Sequence, residues 1–256
     1  MIQTRASIGA RETASSAQLL RLHAPDLAAL LHPGQAVLVQ TGWGYDPFLR
    51  RTFYPIVIDT ESFSIRLPLD GDRGRAWLRM AGTGTELDCL GPVGRGFALP
   101  PHARRILCLG RGDAAWTLLP LVRQAADQGY SVTLATDALS RRQLIPATRL
   151  PISVEYHIAT TDGSAGRKGD LCALLPELLP WADAVIAAAD MAFYRQLGRA
   201  IEDARVLLPK GYAQALYQMD FLCGTGACQA CAVDIAGGRR RVCLRGPVFD
   251  LVDILS

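Results

Sequence analysis

Apolar residues follow two rhythms along this chain. From 17 to about 99 they come in short runs broken by Gly and Pro: Leu19-Leu20-Arg21-Leu22, Ala36-Val37-Leu38-Val39, Pro55-Ile56-Val57-Ile58, Ser64-Ile65-Arg66-Leu67 and Glu86-Leu87-Asp88-Cys89-Leu90. With Pro33-Gly34 as a turn signal, this spacing predicts the strands of a small antiparallel barrel. Before 99 only a turn of helix is expected, over 26–31.

From 104 strands and helices alternate. Ile106-Leu107-Cys108-Leu109, Ser131-Val132-Thr133-Leu134-Ala135, Ile152-Ser153-Val154-Glu155-Tyr156, Ala184-Val185-Ile186-Ala187 and Arg205-Val206-Leu207-Leu208 read as strands, with helices near 115–128, 171–179 and 191–204. Alternation of this kind argues for a doubly wound parallel α/β sheet. Its ligand crevice lies at the carboxyl ends of the strands, where Gly110-Arg111-Gly112-Asp113 stands between a strand and a helix.

At 256 residues the chain accommodates two compact domains and a small appendage, and its net charge of +3 is scattered, which gives no nucleic-acid footprint. Met1-Ile2-Gln3-Thr4-Arg5 lacks the apolar core of a signal peptide, and no apolar run approaches the roughly 20 residues of a membrane span. A cytoplasmic protein without a membrane span is expected. His23, His32, His102 and His157 are scattered singles, and no acid–base or nucleophile constellation stands out, so no catalytic residue is assigned.

Chemistry concentrates near the C-terminus. Cys223-Gly224-Thr225-Gly226-Ala227-Cys228-Gln229-Ala230-Cys231, followed by Cys243, has the C-x4-C-x2-C…C spacing of a loop that wraps thiolates around a [2Fe–2S] cluster. Gly224, Gly226 and Ala227 permit tight turns and let backbone N–H groups face the cluster sulfurs. A structural zinc is the alternative, although Cys228 and Cys231 form only one C-x2-C knuckle; seven cysteines, an odd number, argue against a disulfide framework. Cys89, Cys108 and Cys172 read as buried small hydrophobes. Arg239-Arg240-Arg241 reads either as a solvated turn or as a docking contact for an acidic partner.

The cysteine segment, with Arg241-Val242-Cys243-Leu244-Arg245-Gly246-Pro247-Val248-Phe249-Asp250, resembles the cluster domain of the electron-transfer subunits of NAD-linked (class 1B) dihydroorotate dehydrogenases, which are themselves similar to ferredoxin reductases. Gly91-Pro92-Val93-Gly94-Arg95-Gly96-Phe97 resembles the family's Gly-Pro-x-Gly-x-Gly-Phe. The resemblance implies a β plus α/β protein: a flavin-binding antiparallel barrel over 1–100, a nucleotide-binding-like doubly wound domain over 101–210, and a cluster domain over 211–256. It implies FAD held by Arg51, Thr52, Phe53 and Tyr54, by Leu67-Pro68-Leu69, and by Gly74-Arg75, with Arg51 on the pyrophosphate and Phe53 against the ring system. Relatives carry a small hydroxyl residue where Tyr54 stands and Gly-Thr where Gly74-Arg75 stands.

Cys223, Cys228, Cys231 and Cys243 then ligate the iron, and electrons from NAD(P)H reach, through FAD and the cluster, the FMN of a catalytic partner subunit in pyrimidine biosynthesis. The nucleotide loop departs from the family's Gly-Gly-Gly-x-Gly-x-x-Pro-Leu, and Ala187-Ala188-Ala189-Asp190 replaces its Cys-Gly-Pro. Two alternatives follow: a flavin and iron–sulfur subunit that does not use NAD(P)H directly, and an assembly subunit with a structural cluster.

Overall fold

The computed structural model describes residues 1–14, 17–42, 49–205 and 207–256. The chain divides into two compact units, one of Met1–Gly96, Gln218–Val233 and Arg240–Pro247, the other of Phe97–Tyr217, Asp234–Arg239 and Val248–Ser256.

The first unit carries β1 (Ile2–Ala14), β2 (Ala17–His23), α1 (Pro25–Ala28), β3 (Ala36–Val39), β4 (Arg51–Phe53), β5 (Val57–Ile58), β6 (Ser62–Pro68), α2 (Arg73–Met80) and β7 (Glu86–Val93). The strands form one antiparallel half-barrel in the order β4-β3-β7-β1-β2-β6-β5. Inward-facing Leu20, Leu22, Val37, Val39, Phe63 and Ile65 fill its core, as the two-residue alternation of a half-buried strand requires. Sequence patterning misses β1, whose run of Thr, Arg and Ser hides the inward Ala6 and Ile8.

Also missed is α2, eight residues long and basic, which buries Leu78. Its first amides are capped by Asp72, and its last carbonyls, of Leu78, Arg79 and Ala81, accept from the Arg11 guanidinium of β1. Both ends of the helix are therefore satisfied from the sheet side or by the N-cap, which is why so short a helix persists.

The second unit holds β8 (Arg105–Arg111), α3 (Leu119–Asp127), β9 (Ser131–Ala138), β10 (Glu155–Thr160), β11 (Arg167–Lys168), α4 (Leu175–Leu178), β12 (Ala184–Ala188), α5 (Met191–Arg205) and β13 (Ala213–Leu216). After β14 (Ala232–Ile235), β15 (Gly238–Arg241) and α6 (Val242–Arg245), the chain returns with β16 (Val248–Asp250) and α7 (Leu251–Leu255). The sheet runs β11-β10-β9-β8-β12-β13-β16, parallel except for β16, which pairs antiparallel with β13. Because β9 and β10 extend one side of β8 and β12 the other, the winding reverses between β8 and β12. That reversal fixes the crevice at their carboxyl ends.

Four expectations shift here. The strand near 152–156 is β10, starting at Glu155; the helix near 115–128 is a 3₁₀ stretch, Gly112–Leu118, followed by α3; and that near 171–179 is two 3₁₀ turns flanking α4. No strand begins at Arg205, because α5 runs through it, and Val206 lies outside the described residues. The strand comes at Ala213–Leu216, after Pro209 and Gly211 turn the chain. Its short, alanine-rich sequence carries little strand signal. Among the described residues no helix is long and apolar enough to cross a membrane.

Candidate functional site

The four clustered cysteines all lie in the first unit. Their loop has no regular structure, and two glycines explain how it packs. Gly224 (φ +68°) and Gly226 (φ +79°) occupy left-handed conformations, and a Cβ would approach Leu38 Cδ1 at 2.8 Å in the first case and Leu244 Cδ1 at 2.5 Å in the second. The loop thus lies against β3 and α6 at a separation that only glycine permits. Arg241 Nη1 donates to the Gly226 carbonyl at 3.0 Å, and the Val242 amide to the Cys231 carbonyl at 2.9 Å, which brings Cys243 under the loop.

The thiols fall into two pairs. Cys231 and Cys243 are buried with their sulfurs 3.2 Å apart, well beyond the roughly 2.05 Å of a disulfide bond. Cys223, half-buried, is hydrogen-bonded by the amide and the thiol of exposed Cys228. Burial works to raise the Cys223 thiol, but hydrogen bonds from the Thr225 hydroxyl and from Cys228 outweigh it and bring it below its ordinary value. For Cys243 burial, the Cys231 thiol and the charge of Cys223 all act upward. The Cys231 and Cys223 charges thus oppose ionisation of Cys243, and a cationic centre bound by these thiols is what would make full deprotonation favourable.

Strand β4 anchors this loop. Thr52 Oγ1 accepts from the Phe221 amide at 2.7 Å; the Tyr54 hydroxyl donates to the Met219 carbonyl and accepts from the Met219 amide, both at 3.1 Å. The hydroxyls of Thr52 and Tyr54, both expected at a flavin, bond the segment leading into the cysteines. Burial, then the nearby Asp220 and Cys231 charges, push the Tyr54 phenol above its ordinary value against the lowering effect of the Met219 bond, and it stays a donor.

The residues on the other face of β4 meet the start of α2. Arg51 Nε lies 2.8 Å from Asp72 Oδ1, Arg75 Nη1 lies 2.7 Å from Asp72 Oδ2, and the Gly74 and Arg75 amides donate to Oδ1 at 2.7 and 3.3 Å. Burial opposes ionisation of this carboxyl, yet the Arg51 bond and the two amides prevail and hold it below the usual range. Arg75 also sits 5.8 Å over the ring of Phe53, itself largely buried in the barrel core. So Arg51, Phe53, Gly74 and Arg75 converge. Leu67, wholly buried in the core, and Pro68, whose carbonyl accepts from Arg79 at 2.8 Å, end β6, and exposed Leu69 follows. Asp72 and the buried Thr41, which lies against Gly74, are site residues that the sequence reading missed; an Asp just before a helix start is the signal that could have found the first.

The Gly91–Phe97 run makes its close approach to backbone. Gly94 has φ +80°, and a Cβ there would collide with the Gly246 carbonyl and meet Pro247 Cδ at 2.5 Å. The Arg95 amide donates to the Gly246 carbonyl at 2.5 Å, tying the end of the barrel to the stretch that carries Cys243.

In the second unit the crevice between the β8 and β12 ends holds Arg111. Its guanidinium meets Asp137 at 2.9 Å, Asp170 at 3.8 Å and Asp190 at 3.9 Å, and lies 5.5 Å over the ring of Phe193. Asp137 is buried and also accepts from the Leu171 amide at 2.9 Å. Three carboxylates around one cation make these groups together net negative. Moreover, β8 leads into a 3₁₀ stretch and α3 begins only at Leu119, so the free amides of an α-helix start do not follow the glycines directly. Of the remaining cysteines, Cys89 and Cys108 are buried as expected, and burial pushes their thiols up to about 12; Cys172 departs from that expectation, being only half-buried with its thiol donating to Gln196 Oε1 at 3.0 Å.

Comparison with known proteins places these observations. Residues 220–255 match the family profile described as the iron-sulfur cluster binding domain of dihydroorotate dehydrogenase B. The electron transfer subunit of dihydroorotate dehydrogenase B (NAD(+)) from Desulforamulus reducens is 30% identical over 242 residues, covering 90% of this chain and 89% of that protein. Among solved structures, a chain of the NADH-dependent reduced ferredoxin-NADP oxidoreductase superposes with a TM-score of 0.84 at 20% identity, over 97% of this chain and 89% of that one. A ferredoxin NADP+ reductase from Neisseria gonorrhoeae with bound FAD and NADP superposes with a TM-score of 0.65 at 17% identity, over 79% of this chain and 92% of its own. The half-barrel, the parallel sheet and the cysteine loop are the ferredoxin-reductase-like fold with a C-terminal iron–sulfur segment, and the chain belongs to the family of dihydroorotate dehydrogenase B electron transfer subunits.

Proposed function

We propose that this chain carries FAD and a [2Fe–2S] cluster and passes electrons from NAD(P)H to a catalytic, FMN-containing dihydroorotate dehydrogenase-like subunit, in a cytoplasmic hetero-oligomer serving pyrimidine biosynthesis. The observation that carries this reading is the pairing of the thiols, Cys223 with Cys228 and Cys231 with Cys243. A binuclear cluster takes two thiolates on each iron, whereas a single zinc takes all four around one point.

In functional terms 1–100 would hold the flavin, 101–210 the nucleotide and 211–256 the cluster. Arg51, Arg75 and the Gly74 and Arg75 amides have the chemistry to hold the FAD pyrophosphate, with Phe53 beside them. When bound, FAD supplies the conversion between the two electrons of a hydride and the single electrons that an iron–sulfur cluster accepts. Thr52 and Tyr54 fix the entry of the cysteine loop, Gly224 and Gly226 let it lie close to the barrel, and exposed Cys228 keeps the site near a surface where a partner can dock. The exposed arginines of β15, Arg239 to Arg241, offer that partner a positive contact.

A second reading, in which electrons come from a donor other than NAD(P)H, is favoured by the Arg111 cage, because its surplus of carboxylate repels a pyrophosphate. An anaerobic visible spectrum of the purified protein, before and after NADH, separates the two. Bleaching of flavin and cluster bands supports the first; bands that ignore NADH yet bleach with dithionite support the second. Cys228→Ser should remove or strongly alter the cluster absorbance, and an unaltered spectrum would refute the ligand assignment.

A further inference from the structure

The carboxylate of Asp72 receives four donors: Arg51 Nε, the amides of Gly74 and Arg75, and Arg75 Nη1. An N-cap aspartate needs only the amides. Here it also takes up two guanidinium groups, and two arginines beside the first amides of a helix are the donor set with which proteins hold phosphate. Behind them the Thr41 hydroxyl is wholly buried and has no hydrogen-bond partner among the described residues; it lies against Gly74, where any Cβ would collide with it. A buried polar atom left without a partner beside a ring of anion donors points to a ligand at that place.

We propose that the Asp72 carboxylate is a built-in stand-in for the flavin pyrophosphate: it occupies the anion site when the flavin is away and must release Arg51 and Arg75 for the flavin to enter. The proposal rests on the FAD reading above and adds to it a residue that opposes binding. Asp72 keeps the empty site neutralised and folded, and it lowers affinity in return, since a phosphate entering beside an ionised carboxylate meets a like charge and must win two cations from it.

The test uses the full-length, flavin-free protein and Asp72→Asn, which retains an oxygen for the two amides but carries no charge. Calorimetry measures inorganic pyrophosphate, and quenching of flavin fluorescence measures FAD, each across a salt series. D72N is expected to bind both at least about tenfold more tightly than the unaltered chain at about 50 mM salt, with the gain shrinking as salt screens the charges. Asp72→Ser, another good cap, should give the same gain. Pyrophosphate affinity that is unchanged or weaker in both variants overturns the proposal, because Asp72 would then be positioning the arginines for the ligand. A pyrophosphate gain in proteins that bind no FAD would uphold the stand-in role and overturn the flavin reading instead.

Discussion

The Tyr54 hydroxyl offers the most direct test of how the barrel holds the cysteine loop. It makes two hydrogen bonds of 3.1 Å with the Met219 backbone, one as donor and one as acceptor. Tyr54→Phe removes both and keeps the ring. Each such bond contributes about 0.5–1.5 kcal/mol net, and a partly buried amide left without its acceptor adds to the loss. Because Met219 is half-buried and water can replace part of what is lost, we expect about 1–2 kcal/mol.

The loss should stay local. Tyr54 stands just past the end of β4, and neither bond belongs to a ladder of the sheet, so the opening should be confined to the segment around Met219. Amide hydrogen exchange followed by NMR or mass spectrometry reads this directly. The Met219 and Phe221 amides should exchange about 5–30-fold faster, the rate equivalent of that free energy, while amides of β1 and β2 keep their protection. Loss of cluster absorbance in the presence of an iron chelator should speed up in step. Unchanged exchange at Met219, or equal loosening of β1 and β2, would refute the argument that the phenol acts as an anchor for this loop.

Three further outcomes follow from the same geometry. Gly94→Ala combines a left-handed conformation with a collision against Gly246 and Pro247 and should cost about 2–4 kcal/mol in denaturant unfolding, where an ordinary surface Gly→Ala change costs little. Arg111→Met strips buried Asp137 of its cation and should destabilise the second unit by about 2–4 kcal/mol; Arg111→Met with Asp137→Asn should recover most of it, and a double variant as weak as the single one would contradict the pairing. Hydrogen bonds from Arg105 and from the Arg104 and Arg105 amides hold the Asp183 carboxyl far below its ordinary value, so its stabilisation is complete above the ordinary carboxylate pKa and is lost as pH falls below it. Thermal unfolding should therefore drop more steeply between about pH 4 and pH 2 in the unaltered chain than in Asp183→Asn.

What the sequence disclosed was whatever depends on near neighbours. Strands β2, β3, β5, β6 and β7 of the half-barrel and the main strands of the parallel sheet announce themselves because burial of one or both faces imposes a local pattern, and the four cysteines because their spacing is set by the centre they would surround. The glycines of the 91–97 run signalled a close approach, though not to what. The cage of Arg111 joins residues 26 to 79 positions apart, and Thr52 and Tyr54 reach partners about 165 positions on, so no periodicity could display either. Asp72 was hidden for a different reason: the segment was read for its likeness to a phosphate loop, and the residue just ahead of it, whose carboxylate fills that loop, fell outside the motif. Strand β1 and helix α2 escaped because their polar residues outnumber the few inward apolar ones.

The path of the chain between its two units has a consequence for how such a protein can be altered. It crosses from one to the other at 96–97, 217–218, 233–234, 239–240 and 247–248. Neither unit is written as one uninterrupted stretch of gene. A stop codon after 217 would take the cysteine loop from the first and the last strand and helix from the second, and a shuffled gene that exchanged only 97–217 would place β13 beside a β16 selected for another neighbour. A change of electron donor engineered into such a chain would therefore be made by rewriting the crevice in place, because the second unit cannot be imported as one ready-made segment.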